Sequence, residues 1–199
     1  MSSKIFSGNL QKTTRIWSFL INSFIFIYFA IEDHDLEYFV YLTNWGLFLT
    51  SFYFLCAVLS YYFIEEVVLR NLFLVIWAFN WLITLVYWGY LYPTEGSSGL
   101  FRSSLTHSVP LMVTLIEYLQ SQVVFERGHY IFPMSGLLAY LLLVLVPYTL
   151  TFRPIYAGID FRGMFSVIFC LCMFIVTLIA LELVIIHKDI KIKHILIDS

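Results

Sequence analysis

Charged residues divide the chain into long uncharged stretches: 16 to 31, 38 to 64, 71 to 94, 103 to 125 with Glu117 alone inside it, 128 to 152, and 163 to 181. A helix rising 1.5 Å per residue needs about 20 apolar residues to cross a hydrocarbon core. Lipid offers no partner to a backbone N–H or C=O, and these runs are far too long for barrel strands, so helix is the state they predict. The expected spans are 14–31, 39–63, 70–91, 104–124, 132–151 and 163–186. Short connections such as EDHDLE (32–37) and YPTEGSSG (92–99) leave no room for an inserted soluble domain, so neighbouring helices are expected to be antiparallel.

Composition agrees on the medium. Of 199 residues, 61% are hydrophobic, 20% aromatic and only 12% charged, far from the soluble range. A net charge of -2 gives no basic surface for nucleic acid. Cys56, Cys170 and Cys172 lie in apolar runs, as packing thiols do. With the N-terminus cytosolic, Lys4, Lys12, Arg15, Arg70, Arg127, Lys188, Lys191 and Lys193 fall inside, and Arg102, Arg153 and Arg162 outside. That asymmetry places both termini in the cytosol. The reading is an all-α polytopic membrane protein with six transmembrane helices in one bundle: a short N-terminal tail (1–13), a membrane domain (14–187) and a basic C-terminal tail (188–199). An endomembrane or the plasma membrane is expected; the acid-free start leaves the mitochondrial inner membrane as the alternative.

Polar residues inside the spans carry the functional signal. The second and fourth spans run in the same direction, which puts Thr43 and His107 at about the same depth near their outer ends. Thr43 shares a helix face with Thr50 and Tyr61, and His107 with Thr114 and Tyr118, so two polar stripes can face one another across a cavity. A neutral imidazole can take a hydroxyl proton, make a nucleophile for an ester carbonyl, and return the proton to the leaving alcohol. Asn44, Trp45 or a tyrosine are open as donors to the oxyanion.

Each residue also has a plainer reading. Threonine in a membrane helix commonly bonds a carbonyl one turn back. Asn80 in WAFNWLITLVYW reads as an interhelical donor, and Glu117 as a protonated or paired acid beside the cavity. Glu182 reads as a snorkelling or Lys188-paired carboxylate. No two histidines have metal- or haem-ligand spacing on one helix face, so no metal and no cofactor is expected.

YLTNW around Thr43 and THSVPLMVTLIEY around His107, with an acid ten positions after the histidine, resemble the androgen-induced-gene and androgen-dependent TFPI-regulating protein family, whose relatives include the Rolling stone proteins. VYWGYLYP (86–93) and RPIYAGIDF (153–161) add to the likeness, which extends over residues 15 to 185. The resemblance implies a six-helix intramembrane threonine hydrolase that cleaves fatty acid esters of hydroxy fatty acids, with Thr43 as nucleophile and His107 as base. Asn44, Trp45, Asn80, Thr114, Glu117 and Tyr118 are the candidates for lining its cavity. The partners expected are membrane lipids and a lipid-ester substrate. This reading predicts Thr43 and His107 within reach beside a long apolar cavity. Two others stand beside it: an accessory subunit of a larger membrane assembly, and a carrier with a polar path and broken helices, for which Pro147 is the one evident breaker.

Overall fold

The computed structural model describes residues 2–33, 36–95, 99–121, 125–156 and 159–197. Among them every regular element is helical. Helix α1 runs Ser2–Asp33, and a 3₁₀ turn Leu36–Val40 leads into α2, Leu42–Leu59. Helix α3, Glu66–Val86, continues through a π turn at Tyr87–Leu91 into α4, Tyr92–Glu95. Next come α5, Leu100–His107, and α6, Val109–Gln120. A 3₁₀ turn Arg127–Tyr130 opens α7, Ile131–Tyr140, which passes through a second π turn, Leu141–Leu145, into α8, Val146–Thr151. Helix α9, Met164–Ile197, closes the chain.

Among the described residues, five segments are long and apolar enough to cross a membrane: Asn9–Asp33, Leu42–Leu59, Glu66–Leu91, Arg127–Thr151 and Met164–His187. The sixth expected span, 104–124, is not one continuous helix. It is interrupted at Ser108 (φ −111°) between α5 and α6, and residues 122–124 lie outside the described residues. Pro110 supplies the cause: it has no N–H for the Thr106 carbonyl, and its ring crowds that carbonyl. Pro147, expected to be the breaker, does not stop its helix. The π turn just ahead of it widens the backbone, with the Val146 N–H bonded to Leu141 O, and the helix runs on. The segments expected as tails are helical too, since no proline interrupts 2–13 or 188–197.

Side chains sort as they do in lipid. Apolar groups cover the outside, among them Trp17, Phe24 and Ile31 on α1, Leu142 and Leu143 in the second π turn, and Leu171, Ile175 and Leu183 on α9. Asn22, Thr50, Asn80, Thr114 and Glu117 are buried within. Polar groups inside and aliphatic ones outside invert the arrangement expected in water. Helix α3 is the centre, packed on α2, α6, α7 and α9, while α1 lies along α2. Gly46 sits where α2 meets α3, and a Cβ there would run into Ile83 Cδ1, so glycine allows the close approach. Trp77 ties α3 to α9 by donating Nε1–H to Ala180 O at 2.7 Å.

Candidate active site at the Thr43 end

Thr43 is the second residue of α2, and His107 is the last of α5 before the interruption. Their side chains meet, with Thr43 Oγ1 3.3 Å from His107 Nδ1, within donor–acceptor reach and at its long end. A cavity of about 390 Å³ opens on the pair, walled by Tyr38, Tyr41, Asn44 and Thr106 and by an Asp33–Arg102 ion pair at its rim. Arg102 Nη2 lies 2.6 Å from Asp33 Oδ2, which clips the end of α1 to α5. On the other side of Thr43 an apolar crevice of about 20 Å³ runs between α2, α3 and α9, past Leu82, Tyr87, Phe169 and Met173. The long apolar cavity expected here is thus a roomy mixed chamber backed by a narrow slot, because Phe169 and Met173 pack into the space behind the threonine.

The helix interruption positions the imidazole, and α3 reads the groups it frees. Thr84 Oγ1 donates to the His107 carbonyl at 2.5 Å, and Trp88 Nε1 donates to Ser108 Oγ at 3.0 Å. The Tyr87 ring stacks on His107 with centroids 3.5 Å apart and planes 10° apart, while its hydroxyl donates to Ser103 Oγ at 2.5 Å. Tyr87 begins the π turn, whose extra residue re-aims the side chains that follow. One turn before Thr84, Asn80 Nδ2 donates to Thr50 Oγ1 and Thr114 Oγ1, each at 2.9 Å, and to Pro110 O at 3.2 Å. The two polar stripes therefore join through an asparagine on a third helix.

The remaining candidates divide. Asn44 lines the chamber, and its Nδ2 donates to Tyr38 O at 2.5 Å, bracing the 3₁₀ turn that enters α2. Trp45 points elsewhere: it donates to Phe39 O at 2.7 Å and lines an apolar groove between α2, α3 and α7. Glu117 is fully buried and paired with Arg15 at 2.6 Å, and it also accepts from the Tyr53 hydroxyl at 3.1 Å. Tyr118 meets His187 Nδ1 through its hydroxyl, joining α6 to α9. Glu182 pairs with Arg127, 3.1 Å away, and the side chain of Lys188, the expected partner, lies outside the described residues. Sequence reasoning assigned no part to Thr84, Tyr87, Arg102 or Tyr156. Tyr156 accepts the Leu42 N–H at 3.1 Å and so holds the first turn of α2 beside Thr43. Tyr87 and Tyr156 both fall in the stretches VYWGYLYP and RPIYAGIDF, the one signal that could have found them.

Among the described residues, no three His, Cys, Asp or Glu side chains gather to hold a metal ion. The chain matches no protein-family model, no curated protein and no solved structure. The geometry of the site therefore carries the functional argument.

Proposed function

We propose that this protein is an intramembrane lipid-ester hydrolase in which Thr43 is the nucleophile and His107 the general base. The observation that carries the reading is the 3.3 Å approach of the Thr43 hydroxyl to His107 Nδ1 at the wall of a 390 Å³ chamber. In the Nε2–H tautomer, Nδ1 accepts the Thr43 proton as Oγ1 attacks the ester carbonyl. The resulting imidazolium protonates the departing alcohol oxygen, leaving an acyl-threonine. Water then attacks that ester with His107 again as base, and the acid leaves. Trp45 Nε1–H is committed to Phe39 O, whereas the Asn44 amide gives only one of its two N–H groups to Tyr38 O and lines the chamber. The first-turn N–H groups of Leu42, Asn44 and Trp45 already donate to the Tyr156 hydroxyl and to Tyr41 O, so the second N–H of the Asn44 amide suits the oxyanion better.

The substrate class follows from the resemblance: a fatty acid ester of a hydroxy fatty acid. Its acyl chain would occupy the crevice behind Thr43 after Phe169 and Met173 shift. In this reading the α5–α6 pair is a further crossing, making six, with both termini cytosolic and the Thr43 chamber at the outer side of an endomembrane or plasma membrane. Support comes from the charge asymmetry and from the contacts that bring α1 near Arg15 and α9 near His187 to one end of the bundle, both against α6.

Hydrolysis of such esters by detergent-purified protein tests the reading. Wild type should release free fatty acid, and Thr43→Val and His107→Ala, matched for folding, should lower kcat by about 10² to 10⁴. A folded wild type inactive on a panel of esters, or variants that still cleave, would reject it in favour of an accessory subunit.

A further inference from the structure

At the opposite end of the bundle from Thr43, a second cavity, of about 490 Å³, opens between α1, α2, α3 and the residues Ser121 and Phe125 that follow α6. Two guanidinium groups, Arg15 and Arg70, line it together with Gln11 and Ser60, and Phe73 and Phe125 give it an apolar wall. The two arginines differ in what answers them. Arg15 meets the buried Glu117 through Nε and Nη2. Arg70 has no carboxylate within ion-pair distance among the described residues, and its Nε is buried with no hydrogen-bond partner. Glu66, one turn earlier on α3, lines the same cavity without closing on it. Arg70 is half-buried at the cavity wall, and a guanidinium there with no carboxylate against it can take an anion from outside the chain.

We propose that this cavity binds the phosphate group of a membrane phospholipid headgroup through Arg70. A planar guanidinium grips two phosphate oxygens at once, and the Gln11 amide is at hand for a third. A carboxylate, with two oxygens, would leave much of that donor set idle. The apolar wall suits the glycerol backbone and the start of an acyl chain. Glu66 adds a carboxylate for the ammonium of phosphatidylethanolamine, so the lining matches that headgroup in both signs. The site lies far from Thr43 and does not depend on the hydrolase reading.

The test is calorimetric titration of full-length Thr43→Ala protein, so that no ester of the probe is cut, in neutral detergent. The probes are dihexanoyl phosphatidylethanolamine, dihexanoylglycerol and inorganic phosphate. The phospholipid should bind saturably, dihexanoylglycerol should not, and inorganic phosphate should compete only weakly. Arg70→Gln should weaken phospholipid binding by about tenfold or more, as loss of a charge-assisted bond requires. Arg70→Lys, which keeps the charge and the fold but loses the fork, should fall between. Equal binding of dihexanoylglycerol, a comparison that needs no Arg70 variant, would overturn the site. So would unchanged binding by folded Arg70→Gln. Inorganic phosphate binding as tightly as the lipid would overturn the headgroup as its source.

Discussion

Thr84 shows how much one hydroxyl can govern in this bundle. Its side chain reaches the carbonyl that the helix interruption leaves at His107, and so sets the height of the imidazole against Thr43. Thr84→Val keeps the shape and removes the donor. Under the hydrolase reading it should lower kcat about tenfold with little change in KM, and Thr84→Ser should restore most of the rate, measured as initial velocities across substrate concentrations. A proportional loss of folded protein with kcat intact would instead make Thr84 a packing residue. At this scale the sequence was partly legible. Thr43 and His107 stood out because polar side chains are costly in apolar runs, whereas Thr84 and Tyr87 drew no notice because nothing local shows what a hydroxyl or a ring will touch.

Among the elements, the interruption between α5 and α6 matters most. A straight helix through residues 100–120 would bond the carbonyls of His107 and its neighbours internally and turn the ring by its own register; with Pro110 the register slips, and α3 fixes the ring. Pro110→Ala supplies the missing N–H for Thr106 O and should let the segment straighten. The expected outcome is unchanged or higher helicity by circular dichroism, an equal or higher thermal midpoint and, under the hydrolase reading, hydrolysis reduced about tenfold or more as Nδ1 leaves Thr43. Retained activity with the helix healed would separate the interruption from the chemistry. Pro110 was in plain view in SVPLM, yet Pro147 was singled out instead. A proline close to a span's start reads as one tolerated in a helix's first turn, and only the preceding α5 makes it an internal break.

For the molecule as a whole, the Arg15–Glu117 pair holds α1 to the bundle. Glu117 has no exposed side-chain surface and Arg15 only 11%. Breaking a buried pair strands the surviving charge, so Glu117→Gln should destabilise by about 3 to 5 kcal/mol. Arg15→Met combined with Glu117→Leu should recover much of that loss, which thermal unfolding of the matched set in one detergent would show. A single variant as stable as wild type would mean that lipid or water already answers Arg15.

What the sequence by itself determined was the medium and the local state. Hydrophobicity sums along a chain, and a backbone in lipid must bond to itself, so uncharged runs read directly as membrane helices, five of which, among the described residues, are long and apolar enough to cross. It also brought Thr43 and His107 to one depth, since rise per residue converts position into height. Tertiary structure alone decided what lies across from what. Arg15 and Glu117 are 102 positions apart, Thr43 and His107 are 64 apart, and Asn80 joins Thr50 to Thr114 from a third helix. Helix rotation, and with it every such pairing, is set by how side chains interlock between neighbours, a sum over the whole bundle that no single stretch contains.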